Sequence, residues 1–263
     1  TSLQNVIQGG GKYVAVGVGG YRAWSTNGMS WTQYVDGYSS GSTLHHVAYG
    51  DGTFVAVRDA STDGLKSTDG ENWSSVDTKG TYTGVVYGKS MFVAVGFDWQ
   101  IGYSDSIEQV WTQFTVPDLA RNMHDIVFDK DNGKFVAISW DSVALSSTDG
   151  ANWTKHTVGD IGGSGFLNSI AYGDGWYVAV GNNGRIVCSK DLKNWSIVRS
   201  ESTELLDSLM SVTYGNETFV AVGAGWRREQ ITYDGENWQI STVNGTCGDP
   251  EKKYCHYRGV CYS

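Results

Sequence analysis

A run of apolar residues with almost no polar interruption recurs six times along the chain. It is YVAVG at its first appearance and FVAVG, FVAI or a close variant afterwards, at intervals of about forty residues. Polar and apolar residues do not alternate within the run, so we expect each copy to be a β-strand that is covered on both faces. The six copies begin at Tyr13, Phe54, Phe92, Phe135, Tyr177 and Phe219.

A tryptophan recurs with the same period and marks the end of each repeat. Within residues 44–83 the order is LHHVAYG, a GDGT turn, FVAV, a loop, LKSTDGENW and SSVD, which predicts four short strands. One four-stranded sheet cannot cover both of its own faces, whereas sheets stacked around an axis cover one another. The tryptophans are Trp31, Trp73, Trp111, Trp153, Trp195 and Trp238.

These repeats predict an all-β fold, a six-bladed β-propeller of four-stranded antiparallel blades that occupies residues 1–246 as one domain. An open solenoid is the alternative, but solenoid ends need polar caps and both end repeats keep their apolar strand. Residues 247–263 are predicted to be a short, disulfide-bearing C-terminal tail. The predicted repeats are approximately 3–43, 44–83, 84–123, 124–166, 167–209 and 210–246.

Composition and charge narrow the classes of function. Thirty-five glycines against two prolines fit many turns between short strands, and a formal net charge of −9 without a basic run disfavours nucleic acid as a partner. No stretch is apolar enough to span a membrane and no signal-like segment precedes Thr1, so we expect a soluble, already processed chain. No motif indicates a cofactor, and the five histidines form no metal-spaced cluster.

Four cysteines predict disulfide bonds and therefore an oxidising, secreted location. Three lie in the tail, separated by seven and five residues, which is wider than the spacing of ordinary structural zinc sites. The pairing stays open, because the tail either anchors to Cys188 or ties to itself and leaves Cys188 a buried thiol. The candidates are Cys188, Cys247, Cys255 and Cys261. Sequons that suit a secreted glycoprotein occur at Asn72, Asn152, Asn194, Asn216 and Asn244.

The turn before each tryptophan has its own signature, which is STNGMSW, STDGENW, STDGANW, SKDLKNW and TYDGENW in five copies. Its aspartate can accept backbone N–H bonds within a tight turn, and the glycine that follows in most copies tolerates positive φ. The signature resembles the Asp box of sialidases and of other repeat propellers, including photosystem II assembly factors. The resemblance implies a structural turn on the face opposite the functional one, formed here by Asp69, Asp149, Asp191 and Asp234.

The connections between second and third strands vary where the framework does not, and three of them carry tryptophans outside the repeat period. Aromatic rings beside carboxylate, guanidinium and amide groups suit sugar rings or extended peptides. The alternative is that these tryptophans fill the axial channel or pack on neighbouring loops. The predicted ligand-binding residues are Tyr21, Arg58, Asp98, Trp99, Trp140, Asp141, Asn183, Trp226 and Arg227.

These features together predict a secreted binding module, lectin-like or protein-binding, that uses the loop face opposite the Asp-box-like turns. Its partner would be a glycan or an extracellular protein. A sialidase-like glycoside hydrolase or an assembly scaffold is the alternative. No segment matches the arginine cluster or the Tyr and Glu pair of sialidases, so no catalytic residue is predicted.

Overall fold

The computed structural model describes residues 2–34, 42–105, 111–116, 122–159, 166–199, 208–223, 227–233 and 238–244. The strands in these ranges form six four-stranded sheets, and each strand hydrogen-bonds to its neighbours in chain order. No helix within these ranges has the length and apolar character that crossing a lipid bilayer requires.

The chain divides into two compact units, Thr1–Ala137 with Ser146–Thr154, and Ile138–Leu145 with Lys155–Ser263. The first unit contains three complete antiparallel blades, which we number 1 to 3 in chain order. Their strands are β1 (Leu3–Gly9), β2 (Lys12–Gly17), β3 (Arg22–Ser25), β4 (Thr32–Gln33), β5 (Leu44–Gly50), β6 (Thr53–Arg58), β7 (Asp63–Ser67), β8 (Ser74–Asp77), β9 (Tyr82–Gly88), β10 (Met91–Gly96), β11 (Gln100–Ser104) and β12 (Thr112–Thr115).

The second unit contains two complete antiparallel blades, which we number 4 and 5. A further sheet is divided between the two units, because its second, third and fourth strands each cross from one unit to the other. The divided sheet is β13 (Met123–Asp129), β14 (Lys134–Ser139), β15 (Val143–Ser147) and β16 (Thr154–Thr157). Blades 4 and 5 are β17 (Leu167–Gly173), β18 (Trp176–Gly181), β19 (Ile186–Ser189), β20 (Ser196–Arg199), β21 (Leu209–Gly215), β22 (Thr218–Gly223), β23 (Arg227–Tyr233) and β24 (Trp238–Asn244).

The all-β class and the four-stranded antiparallel blades are confirmed, but the predicted six-bladed ring is wrong. Five complete blades each lie within one unit, and the repeat predicted at 124–166 supplies strands that the two units share. A sequence period counts copies of a local strand pattern. It does not report which compact unit those strands join, because that depends on contacts between residues far apart in the chain. The predicted tail, 247–263, lies outside the described residues.

The second strands are largely buried, as their apolar runs predict. In blade 2 every residue of Thr53–Arg58 is buried. Phe54 and Ala56 belong to a core cluster shared with blade 1, whereas Val55 and Val57 belong to a cluster shared with blade 3. Alternate side chains of one strand therefore pack against two different neighbours. This is the physical reason that polar residues do not alternate along it.

Each of the five blades carries a β-bulge near the start of its first strand. In blade 2, Leu44 pairs with Arg58 and His46 pairs with Val57, so His45 is the additional residue. A bulge bends the strand and redirects a side chain. The additional residues in the five blades are Gln4, His45, Thr83, Asn168 and Met210.

At the opposite end of the first strands, a glycine of one blade contacts an aromatic ring of the next. A Cβ placed on Gly50 would overlap the Tyr87 ring, and a Cβ on Gly9 would overlap the Tyr49 ring. Glycine here permits close approach of two sheets, because any side chain would have to displace the ring. The same contact joins Gly88 to Phe128 and Gly173 to Tyr214.

The turns that precede the repeat tryptophans share one set of hydrogen bonds, and we call them the Ser/Asp turns. In blade 2, Oδ1 of Asp69 accepts from the backbone N–H groups of Glu71 and Asn72 at 2.8 and 2.7 Å. Oγ of Ser67 accepts from the N–H of Gly70 at 2.9 Å. The same two sets of bonds surround Asp149 and Asp191.

These bonds stabilise the ionised form of the turn aspartates. The side chain and backbone of Asn152 lower the pKa of Asp149 well below its usual value, and the backbone of Asn194 does the same to the pKa of Asp191. Burial raises the pKa of Asp69, but the hydrogen bonds within its turn lower it by more. The carboxylates therefore act as charged acceptors for backbone groups at ordinary pH.

Blade 1 makes the same turn with an uncharged residue. Oδ1 of Asn27 accepts from the N–H groups of Met29 and Ser30, both at 2.9 Å. The amide oxygen therefore replaces the carboxylate as acceptor without supplying a negative charge. Asp234, predicted to form the turn of the last repeat, lies outside the described residues.

Candidate functional site

The ends of the blades opposite the Ser/Asp turns carry the variable connections. In the first unit we call these residues the loop face, and they are 18–21, 42–46, 59–63, 78–81 and 97–100. All of them follow a second or fourth strand or begin a first or third strand, so they lie at the same end of their sheets. The loop face is therefore the part of this unit where side chains are least constrained by the repeat.

The connection after β10 holds two consecutive residues with side chains in left-handed backbone. Asp98 has a φ of 51° and Trp99 a φ of 60°. The equivalent turn of blade 1 places Gly19 and Gly20 there, with φ values of 71° and 74°. Glycine adopts this region without steric cost, whereas a bulky residue does so only when its surroundings impose it. Blade 3 thus has an aromatic residue at a position where the backbone favours glycine.

Backbone hydrogen bonds hold this turn in place. The N–H of Asp98 donates to Oδ1 of Asn122 at 3.1 Å, and the N–H of Val116 donates to the carbonyl of Trp99 at 3.1 Å. The side chain of Asp98 is exposed and that of Trp99 is partly buried. Among the residues that the structure describes, none pairs with the Asp98 carboxylate. The turn is anchored through its backbone, and the carboxylate is left facing solvent.

His45, the bulge residue of blade 2, contacts both the Phe97–Trp99 turn of blade 3 and the connection after β6 in blade 2. Its Nε2 lies 3.1 Å from Oδ2 of Asp59, and Oδ1 of Asp59 accepts from the N–H of Thr43 at 2.7 Å. A carboxylate oxygen accepts hydrogen bonds, so Nε2 of His45 is the donor in this contact. The His45 ring meets Phe97 edge to face, with centroids 6.3 Å apart.

Two other predicted ligand-binding residues lie in the first unit. The Arg58 side chain is 7% exposed, and its Nε donates to the carbonyl of Asp63 at 2.6 Å. This burial argues against Arg58 as a ligand contact and makes it a support for the connection between β6 and β7. Tyr21 is partly buried after the Val18–Gly20 turn, where its carbonyl accepts from the N–H of Gly17 at 2.9 Å.

The second unit holds three more of the predicted residues. Trp140 packs on Phe166 with ring centroids 5.6 Å apart, which agrees with the alternative that it packs on a neighbouring loop. Asp141 follows it and is partly buried. Asn183 lies in the Asn182–Gly184 turn with a φ of 58°, at the position that Asp98 occupies in blade 3.

The two remaining predicted ligand-binding residues, Trp226 and Arg227, are adjacent in the sequence. Trp226 lies outside the described residues, and of Arg227 the structure describes the backbone, at the start of β23. Cys188 is buried in β19. The other predicted disulfide residues, Cys247, Cys255 and Cys261, lie outside the described ranges, so the disulfides stay a prediction.

The sequence interpretation missed the polar residues that the bulges direct at the next blade. Oγ1 of Thr83 donates to the carbonyl of Met123 at 3.0 Å, and Nδ2 of Asn168 donates to the carbonyl of Leu209 at 2.8 Å. These bonds satisfy backbone acceptors at the loop end of neighbouring first strands. The signal that could have found them is the polar residue after the leading apolar one, in LQN, LHH, YTG and LNS.

His46 follows the bulge of blade 2 and reaches towards the divided sheet within the first unit. Its Nε2 lies 3.7 Å from Oδ1 of Asp125. Gly84 takes the corresponding place in blade 3, where an added Cβ would lie 3.2 Å from Cα of Asp125. Burial lowers the pKa of His46, and the Asp125 carboxylate opposes that change. In the described part of the chain, no group of three or more His, Cys, Asp or Glu could hold a metal ion.

A shallow cavity of about 230 Å³ lies near the Ser/Asp turn of blade 2. It is lined by framework residues, among them Thr53, Ser67 and Trp73. Trp73 is 8% exposed and its Nε1 donates to the carbonyl of Gly70, so it offers little surface to a ligand. The loop face remains the better candidate.

Comparison with known proteins supports the fold. No family model and no curated protein sequence matches the chain. Among solved structures, the chain is similar to YCF48 bound to D1 peptide, with 17% identity, a TM-score of 0.67 and coverage of 90% of this chain and 80% of that one. It is also similar to a catalytically inactive virginiamycin B lyase from Staphylococcus aureus with quinupristin, at 10% identity, a TM-score of 0.77, and 93% and 84% coverage.

A third similar structure is that of the RRP9 WD40 repeats, with 10% identity, a TM-score of 0.70, and coverage of 92% of this chain and 79% of that one. Identities this low report the fold alone. The chain is therefore a β-propeller, as predicted. YCF48 is one of the propellers that share this fold. The likeness to sialidases stays a prediction.

Proposed function

We propose that the protein is a binding module that holds an extended peptide segment of a protein partner on the loop face of the first unit. The observation that carries the proposal is Trp99, a partly exposed aromatic residue held at a φ of 60° where blade 1 has glycine. Holding a residue with a large side chain in this region costs about 1–3 kcal/mol. Retaining tryptophan there is best explained if its ring has a role that glycine cannot fill.

The surroundings of Trp99 suit a binding role. The turn is anchored by bonds to Asn122 and Val116, so the ring is presented from a rigid backbone. Rigid aromatic residues lose little conformational entropy on binding, and tryptophan is enriched among residues that dominate binding energy. Phe97 and His45 extend the aromatic surface towards blade 2. One similar solved propeller, YCF48, is bound to a peptide, which is consistent with a peptide on this fold.

The test uses peptides selected from a random library on the wild-type protein, with affinities measured by calorimetry. The variant Trp99→Gly removes the ring and relieves the backbone. We expect binding to weaken roughly thirtyfold, the effect of losing about 2 kcal/mol at a hot spot. We expect the melting temperature to stay within about 2 °C of wild type, because relief of strain offsets lost packing.

The control is Trp31→Ala, which removes a tryptophan that is 41% exposed at the Ser/Asp turn of blade 1. Its affinity for the peptides should match wild type. Trp99→Asn is a second variant that also tolerates left-handed backbone, should the glycine variant prove unstable. Equal affinity of the wild type and both Trp99 variants would contradict the proposal, as would a library that yields no binder.

A carbohydrate ligand is the second candidate, because an aromatic ring beside the Asp98 carboxylate also suits a sugar. It predicts binding on a glycan array that Trp99→Gly abolishes. The glycoside hydrolase alternative predicts cleavage of fluorogenic glycosides by the pure protein. The secreted location stays a prediction, and mass spectrometry of the protein from its native source would test it by finding glycans or disulfides.

A further inference from the structure

The loop face carries several carboxylates that are accessible to solvent. Asp98 is exposed, and the side chains of Asp59 and Asp63 are 32% and 48% exposed. Asp59 is connected to the Trp99 turn through His45 and Phe97, so these carboxylates belong to one surface. The surface therefore presents negative charge next to aromatic rings.

The cations at this end of the first unit are buried or paired. Arg22 is 2% exposed, with its guanidinium carbon 4.6 Å from the centre of the Tyr34 ring. Arg58 is 7% exposed and bonded to the Asp63 carbonyl. The Lys79 side chain is 47% exposed, but its Nζ is paired with Oδ2 of Asp77 at 2.5 Å. Among the described residues at this end of the first unit, no other lysine or arginine is present, so the exposed carboxylates outnumber the exposed cations.

An aromatic ring beside a carboxylate is suited to a cation. A guanidinium or ammonium group is attracted to the face of a tryptophan ring and forms charge-assisted hydrogen bonds with a carboxylate. Asp98 and Trp99 are consecutive, and both are held by the same turn. The formal net charge of −9 would also steer a basic segment towards the protein at low ionic strength.

We infer that the partner segment is basic, and that an arginine or lysine side chain of the partner binds against Trp99 and the Asp98 carboxylate. This inference rests on the proposed function and states the chemistry of the partner. Asp59 and Asp63 add longer-range attraction, which salt screens.

The test compares three libraries of peptides of equal length, which differ only at one fixed set of positions. The basic library has Arg or Lys at these positions, the neutral library has Ser or Gln, and the acidic library has Asp or Glu. We expect the best basic peptides to bind at least about tenfold more tightly than the best neutral ones at about 50 mM salt. That difference should shrink as the salt rises to about 500 mM.

Asp98→Asn removes the charge and keeps a residue that accepts left-handed backbone. It should weaken basic peptides about fivefold to tenfold and leave neutral peptides unchanged. Asp105→Asn is the matched control, because Asp105 is exposed just beyond the opposite end of β11. It should alter neither class of peptide.

The outcomes separate the inference from the proposed function. Binding that depends on Trp99 but is equal for neutral, acidic and basic libraries, or that is insensitive to Asp98→Asn, overturns the basic partner and leaves peptide binding intact. Failure of all three libraries to bind overturns the proposed function itself.

Discussion

The two ends of the same blades provide hydrogen-bond partners for backbone groups in different ways. At the Ser/Asp turns, a serine and an aspartate accept the backbone N–H groups of residues two or three positions away, and blades 2 and 4 repeat these bonds atom for atom. At the loop end, polar bulge residues bond to the backbone of the next blade, through a hydroxyl in Thr83 and an amide in Asn168. Hydrogen bonds within one turn constrain which residues can form it. Hydrogen bonds between blades require only that a polar side-chain atom lies within reach of the backbone group.

This difference indicates which end of the blades tolerates amino-acid substitutions. The framework end also contains the glycine and aromatic contacts between first strands, which leave no room for a side chain. The loop end contains Asp98 and Trp99, which depart from the glycines of blade 1 without disturbing the register of blade 3. Changes at the framework end should therefore reduce stability, and changes at the loop face should alter binding instead.

The largest effect on the free energy of unfolding is expected at Gly50, where a new side chain would overlap the Tyr87 ring. Gly50→Val should lower the free energy of unfolding by roughly 3 kcal/mol, because the overlap forces two packed blades apart. Chemical denaturation measures the change. The double variant Gly50→Ala with Tyr87→Gly should be more stable than the sum of the single variants predicts. Additive single effects would show that the contact does not limit this position.

A smaller effect is expected within a Ser/Asp turn. Ser67→Ala should lower the free energy of unfolding by about 1–2 kcal/mol, because Oγ of this buried serine accepts from the N–H of Gly70. Ser75→Ala in the exposed β8 strand of the same blade is the control and should change stability by less than about 0.5 kcal/mol. Thermal melts compare the two. Similar losses in both variants would show that the turn bond adds nothing.

The smallest effect on stability is expected from the charge of the turn residue, which is present at Asp149 and absent at Asn27. The folded-state pKa of Asp149 lies well below its unfolded value, so its contribution to stability is fully present above about pH 4 and decreases progressively at lower pH. Asp149→Asn should lower the melting temperature by roughly 2 °C at pH 6, and the difference should shrink steadily as the pH falls from about 4 to about 2. Asn27→Asp should have the opposite effect over the same pH range.

Melting curves at several pH values check this prediction, with Asp131→Asn as the control at an exposed carboxylate outside the Ser/Asp turns. A constant difference between wild type and Asp149→Asn down to pH 2 would show that charge does not strengthen the turn. An unchanged melting temperature for Asn27→Asp at pH 6 would point the same way for blade 1.

The candidate site was predictable only in part. Asp98 and Trp99 could be found because they interrupt a repeat, and an interruption is visible in a single sequence. The burial of Arg58 was not, because its side chain turns back to the carbonyl of Asp63 in the following strand. The link from Asp59 through His45 to Phe97 joins two blades and depends on a bulge that periodicity does not reveal.

The sequence by itself determined the strand pattern, the four-stranded blades and the Ser/Asp turns, because these depend on residues close in the chain and on an apolar period that repeats. Only the tertiary structure decided that five blades are complete and that the strands from Met123 to Thr157 are divided between two compact units. It alone also decided which loop side chains stay accessible. These features depend on packing between distant segments, where the same local pattern allows more than one arrangement.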